Sequence, residues 1–288
     1  MGTVGVEVAV GNDPRLPAAL ASLEQQTRRP DRVLIVAAPA TPESLLVEAA
    51  RRAPSIPVEV VRYPGGVVDA RASAMARLGE EVTAFLDSDE VASPEWLARL
   101  VAPIESGAAT YTGGPTRPLR APTHPIERYY ALLDRSIYEG LVPANPVYLP
   151  LQNTAWRTEE LRRLGFDPRI PFAEDHDLES RALAAGLRAL YVPEAWVFHD
   201  KTAETSYLRW ARKRYRYLVA MAMSLIKNRA LRGRLGERRT RVRHPLAFVE
   251  ALMKPFALVQ ASLRWSRWGG PSEGAGTVAP PPPPPPSP

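Results

Sequence analysis

Asp87 and Asp89, separated by one serine, close the stretch Val82–Glu90, which reads VTAFLDSDE. Two carboxylates so close together suit a hard divalent cation such as Mg²⁺, which takes carboxylate oxygens and bridges to phosphates. The residues before them, Val82–Leu86, are apolar except for Thr83, the composition of a strand buried on both faces. An unpaired carboxylate held inside such a core is costly. The acid pair is therefore expected just beyond the carboxyl end of its strand, where open α/β sheets place their ligands. The plainer reading of the stretch is a solvated turn before a helix. Ser93–Pro94–Glu95 supports it, with Ser as cap and Pro at the first helical position.

The elements that must position the pair follow a simple alternation. Apolar runs at Val4–Val10, Val33–Ala37, Val58–Val61 and Val82–Leu86 predict strands. Between them lie helical patterns, one carrying Leu16, Leu20 and Leu23 on one face, the next opened by Thr41–Pro42–Glu43, and a third running to about Leu78. Strands alternating with helices of this length mean βαβ units and a mostly parallel sheet. After a helix at Pro94–Ile104 the pattern changes at Gly113–Gly114–Pro115 to an irregular, proline-spaced region reaching Pro150, with one amphipathic helix near Ile126–Tyr138. Helices at 158–164 and 174–185 and short strands at 190–192 and 196–199 complete this body.

Charge divides the 288 residues sharply beneath a net +6. Residues 1–206 hold 21 basic and 28 acidic side chains, whereas 207–244 hold 13 basic and one acidic. In that basic arm Tyr207, Trp210, Tyr215 and Tyr217 interleave with Arg209, Arg212, Lys213, Arg214 and Arg216. The arm and the apolar but charge-interrupted stretch Pro245–Leu263 predict amphipathic helices lying in a bilayer interface rather than crossing it. Residues 269–288, with seven prolines from Pro280, read as a disordered tail. Absence of cysteine excludes disulfides and thiolate metal sites. The opening residues lack the pattern of a secretory signal, and no nucleic-acid-binding motif is present, so nucleic acid is not an expected partner.

Three segments in order resemble family 2 glycosyltransferases: VEVAV…LASLEQQTRRPDRVLIV, VVDARASAMARLGEEVTAFLDSDEVASPEWL and GFDPRIPFAEDHDLESRALAAGLRALYVPEAWVFHD. The resemblance covers about residues 4–200. It implies a GT-A (Rossmann-like) fold over 1–203, divided into a nucleotide-sugar half, 1–112, and an acceptor half, 113–203; the basic arm and the apolar stretch after it, read from charge and composition, form a basic amphipathic helical extension at 204–268. It also implies a nucleotide-diphosphate sugar donor, Mg²⁺ or Mn²⁺, and inversion at the anomeric carbon. On that resemblance Asp87, Ser88 and Asp89 form the donor-side DxD, His199 completes the metal shell, and Arg71 lies near the diphosphate. Asn153 serves the acceptor, Trp156 either forms a sugar platform on that side or packs into the core, Glu174 orients the acceptor, and Asp175 is the general base that inversion needs. Asp177 and Arg181, four apart, read instead as an ion pair within a helix.

Two departures bear on donor choice. The family usually ends its second strand with acids, whereas this one runs Ala37–Ala38–Pro39, and the asparagine of the ARN segment is Ala72. The QxxRW motif of processive synthases is missing, which favours transfer of one sugar. With the basic arm, the expected acceptor is lipid-linked or a cell-envelope glycan, met at the cytoplasmic face of an anionic membrane. A metal-dependent nucleotidyltransferase is the rival enzyme, although GNDPR makes a poor phosphate loop. A degenerate sugar-nucleotide module acting as a membrane scaffold is the non-catalytic rival.

Overall fold

The computed structural model describes residues 2–139, 148–201, 205–229 and 242–268. The predicted proline-rich tail, 269–288, lies outside them. The first half alternates as expected: β1 (Val4–Val10), α1 (Leu16–Glu24), β2 (Arg32–Ala37), α2 (Glu43–Arg51), β3 (Val58–Arg62), α3 (Val67–Ala74) and β4 (Val82–Asp87). These four strands are parallel, in the order β3-β2-β1-β4, and the register sets Ala9 beside Asp87 at the carboxyl end.

The second half is less regular. After β5 (Glu90–Ala92) and α4 (Trp96–Glu105) come β6 (Tyr111–Gly113), β7 (Thr116–Pro118), α5 (Pro125–Tyr138), β8 (Asn153–Arg157) and α6 (Thr158–Leu164). Then follow α7 (Glu174–Ala184), β9 (Ala189–Tyr191), β10 (Val197–His199), α8 (Tyr207–Lys227) and α9 (Pro245–Arg267). β8 joins the sheet antiparallel between β4 and β6, and β9 closes the edge. β5, β10 and β7 make a second, three-stranded sheet.

Period two sorts the strand residues onto two buried faces. Val4, Val6 and Val8 pack with Leu20, Trp96 and Leu100 on one side. Leu34 and Phe85 pack with Met75, Leu161 and Leu178 on the other. Glu7 and Asp87 belong to this second face by the same alternation, which places both carboxylates beneath α3. A carboxylate in the middle of a buried strand needs a partner, and α3 supplies it.

Local helix starts differ from the sequence reading. Ser93 does not cap α4: the helix begins at Trp96, and the Ser93 hydroxyl has no hydrogen-bond partner. Gln26 takes over the role from a distance, accepting from the Leu97 amide at 3.0 Å and donating to the Ser93 carbonyl at 2.7 Å. Thr41 likewise turns away from α2 and donates to the Gly11 carbonyl at 2.9 Å, pinning the loop after β1.

α8 is more than an arm on the surface. Lys227 and Asn228 reach Asp177 of α7, at 2.8 Å and 3.0 Å, and Ala220 joins Ile170 and Ala173 in a small apolar cluster. The expectation that no stretch could span a membrane is corrected for α9. Its 23 residues are long and apolar enough, by length and composition, to cross one. Glu250 and Lys254 are the only charges in its most apolar 18-residue stretch, whose mean hydropathy is 1.4.

Candidate functional site

Two clefts open at the carboxyl ends of β1 and β4, and the acids form the wall they share. The first, about 470 Å³, is bounded by the loop after β1, by Tyr63, Gly65 and Gly66 before α3, and by Asp87, Ser88 and Asp89. The second, about 550 Å³, is bounded by α5, Tyr148, Gln152, His199 and Lys201. Asp87, Asp89, Phe172, Asp175, Lys213 and Tyr217 line both. Strand β4 ends in Asp87, the turn after it carries Asp89, and the first turn of α7 delivers Glu174 and Asp175.

α7 is aimed by strain. Ala173, its N-cap, is left-handed at φ 55°, the one non-glycine residue with positive φ among the described residues. Such a conformation costs roughly 1–3 kcal/mol and is kept where the surroundings hold it. Burial of Ala173 against Ile170 and Ala220 provides that hold. Asp175 then accepts from the Tyr148 hydroxyl on Oδ2 and from the His176 amide on Oδ1 at 2.8 Å. Tyr148 is itself fixed by stacking on His176, with ring centroids 4.1 Å apart.

Behind the acids stands Arg71, only 6% exposed. Its guanidinium reaches Glu7 at 3.1 Å, Asp87 at 3.1 Å and Glu174 at 2.7 Å. One cation thus serves three carboxylates, and negative charge is in excess. Desolvation lifts the Glu7 carboxyl to about 7 despite Arg71, and also raises Asp87 and Glu174. The Arg71 guanidinium stays firmly charged, because the three acids outweigh the burial that opposes its charge.

Asp89 behaves oppositely. Burial would raise its carboxyl, but His199, Arg15 and Lys213 together bring it down to about 2. His199 Nε2 lies 2.9 Å from Asp89 Oδ2 and Arg15 lies 3.5 Å from it. On the far side of the imidazole, Nδ1 faces Glu90 Oε1 at 3.6 Å, and neither atom has a hydrogen-bond partner. Burial, then the charges of Asp87 and Asp89, hold the Glu90 carboxyl well above the usual range.

These residues fit a divalent cation by the chemistry of their donors. Two carboxylates and an imidazole border the second cleft, and the buried Glu90 carboxyl stands behind the imidazole on the side where metal-bound histidines are held. Among the described residues no three His, Asp or Glu side chains form a ready-made metal cage. Asp87 is engaged by Arg71 and Asp89 by His199.

The structure brings Asp87, Ser88, Asp89, Glu174, Asp175, His199 and Arg71 to one place. Arg71 lines the first cleft and also gathers Glu7, Asp87 and Glu174. Two sequence expectations are corrected. Asn153 is wholly buried, donating to the Pro115 and Ala195 carbonyls at 3.1 and 3.0 Å and accepting from the Trp96 indole at 2.6 Å. Trp156 is also wholly buried, stacked on Tyr111 at 3.9 Å. Both belong to β8, a strand flanked by neighbours and covered on both faces, so neither side chain can meet an acceptor. Gln152, one residue earlier, lines the second cleft instead.

Sequence reasoning missed Glu7, Arg15, Tyr148 and Lys201. A glutamate amid the apolar VGVEVAV was a usable signal for the first of these. Lys213 and Tyr217 were assigned to a membrane arm, yet their spacing of four puts both on the helix face that closes the clefts. The pair Asp177–Arg181 forms as expected, at 2.9 Å.

Comparison with known proteins agrees with this geometry. The model of Glycosyl transferase family 2 matches residues 8–146, and that of Glycosyl transferase family group 2 matches residues 82–269. A pre-mycofactocin glycosyltransferase of Mycobacterium tuberculosis is 32% identical over 151 residues. That match takes in 50% of this chain and only 32% of the relative. Among solved structures, the mannosyltransferase PcManGT from Pyrobaculum calidifontis, in complex with GDP-Man and Mn²⁺, superposes with a TM-score of 0.59 at 19% identity. It covers 95% of this chain and 76% of its own. S. aureus TarS 1–349 in complex with UDP-GlcNAc gives 0.58 at 18% identity, over 92% of this chain and 73% of its own. The parallel half-sheet, the acids at its carboxyl end and the matched residues lead to one assignment: this chain has a GT-A fold and belongs to glycosyl transferase family 2.

Proposed function

We propose that the protein transfers a single sugar from a nucleotide-diphosphate donor to an acceptor hydroxyl, with inversion. The observation that carries this reading is the shared wall: Asp87, Asp89 and Asp175 border both clefts, so a donor in one and an acceptor in the other would meet at these acids. Asp175 takes the proton from the acceptor hydroxyl as its oxygen attacks the anomeric carbon. Tyr148 and the His176 amide hold the carboxylate in one orientation, and Glu174, tied to Arg71, keeps the first turn of α7 in place. Asp87, Asp89 and His199 would hold Mg²⁺ or Mn²⁺, which when bound offsets the charge developing on the leaving diphosphate.

Lys213 and Arg15 add positive charge at the same wall and so favour an anionic donor. The donors bound by the structural neighbours make GDP-mannose and UDP-GlcNAc the first to try. The acceptor read from the basic segment is lipid-linked or a cell-envelope glycan at the cytoplasmic face of an anionic membrane. Pre-mycofactocin enters the acceptor screen through the named relative.

A thermal-shift series with each donor, with and without Mn²⁺, tests binding, since a ligand of the folded state raises Tm. A Mn²⁺-dependent rise is expected, followed by release of free nucleoside diphosphate when an acceptor is supplied. Release of pyrophosphate would instead identify a nucleotidyltransferase. No rise with any donor, with or without metal, would sink the reading.

A further inference from the structure

α9 carries two opposed apolar faces, and the described residues cover only one of them. The inner stripe, Leu246, Ala257, Ala261 and Trp265, is buried, and its last three residues pack with Leu218, Val219 and Met223 of α8. Glu250 is buried on the same side, where it accepts from Arg214 Nε at 2.9 Å and from the Tyr129 hydroxyl. The outer stripe is Phe248, Leu252, Phe256, Val259 and Leu263, exposed by 67, 56, 70, 61 and 56%. Spacings of three and four keep these five on one side of a helix, about half a turn from the inner stripe. A surface helix ordinarily turns polar residues outward.

The exposed charges of α9 carry one sign. Lys254, Arg264 and Arg267 are exposed, while the single acid of the helix, Glu250, is sequestered by Arg214. An exposed apolar stripe on a helix whose exposed charges are all cations complements an anionic lipid surface, with acyl chains against the stripe and phosphates near the cations. Crossing the bilayer is a poorer fit. α9 is bound along its length to α8, which carries Arg209, Arg212, Lys213, Arg214 and Arg216. A spanning α9 would either take those cations into hydrocarbon or leave Glu250 buried without Arg214.

We infer that α9 lies in the plane of an anionic membrane interface, its outer stripe inserted among the lipids and its inner stripe holding the catalytic body through α8. The inference rests on the proposed membrane-facing acceptor only for its purpose, and its geometry is independent of the chemistry in the clefts. It would also set the second cleft, which Lys213 and Arg214 of α8 help to line, near the lipid surface.

The test uses the full chain with vesicles of phosphatidylcholine alone or mixed with phosphatidylglycerol. Sedimentation is expected to recover protein with the anionic vesicles at low salt, less at high salt, and sodium carbonate is expected to strip it off. Replacing Leu252 and Phe256 by serine should weaken partition at least about tenfold, because both side chains leave the lipid. The same variant should keep the wild-type thermal shift with donor and Mn²⁺. No partition onto anionic vesicles would overturn the inference, as would resistance to carbonate, the mark of a spanning helix. So would a lipid-free dimer broken by the double substitution, since a second copy would then cover the face. Loss of the donor-induced shift with partition intact would count against the transferase reading and leave the docking in place.

Discussion

Arg71 and Asp177 are both buried charges shared among three partners, and their surroundings are balanced in opposite ways. Asp177 receives Arg181 at 2.9 Å, Lys227 at 2.8 Å and Asn228 at 3.0 Å in the interior between α7 and α8, so one acid is amply neutralised. Arg71 faces Glu7, Asp87 and Glu174 alone. The first arrangement is complete by itself and lines neither cleft. The second leaves negative charge unmatched at a cleft wall, which burial makes more costly. A complete hub holds a fold together, whereas an incomplete one has capacity left for a cation or a proton.

The largest test of this contrast is Asp175→Asn. Removing the base while keeping its shape should lower nucleoside-diphosphate release by about 10²–10⁴-fold, with donor-induced stabilisation retained. Equal loss of donor binding would place Asp175 among the structural groups instead. At the other hub, Asp177→Ala leaves Lys227 and Arg181 without their shared acid. A cost of roughly 3–5 kcal/mol is expected in urea unfolding, with activity per folded molecule little changed. A large drop in activity at unchanged stability would erase the distinction between the hubs.

Glu7→Gln probes the unmatched charge through pH. The folded protein holds the Glu7 proton up to about 7, against 4.5 for an ordinary glutamate. Between those values the folded state binds more protons than the unfolded one, so Glu7 lowers stability as pH rises. The full window is worth about 3 kcal/mol. Urea midpoints at pH 5 and pH 7.5 should therefore differ less in the glutamine variant than in the wild type. Equal slopes would show that Glu7 is ionised throughout. The smallest effect is expected on the surface, where Glu48 and Arg52 sit 3.7 Å apart and both largely exposed. Glu48→Ala should change stability by less than about 0.5 kcal/mol.

The parallel half of the sheet was legible because each strand announces itself by an apolar run and each crossover by a helical period. The acids followed from it, since a strand that ends in carboxylates must end at the sheet's edge. β8 was not legible as a wall of the core. The motif places Asn153 toward an acceptor and leaves Trp156 between acceptor and core, and tertiary packing closes both faces of the strand over them. The cap of α4 failed for a related reason: Ser93 is the local candidate, and Gln26, 67 residues earlier, does the work. A residue that far away leaves no trace in the local pattern.

Composition and periodicity alone determined the α/β alternation, the acid pair at the end of β4, the ion pair within α7 and the concentration of basic residues in α8. These depend on short-range spacing, which a sequence displays directly. Only the tertiary structure decided that Arg71 gathers three acids, that α8 turns Lys213 and Tyr217 into the clefts, and that α9 is covered on one face and bare on the other. Each of those is a matter of which surfaces meet, and the free energy of such a meeting belongs to pairs of distant residues rather than to either one.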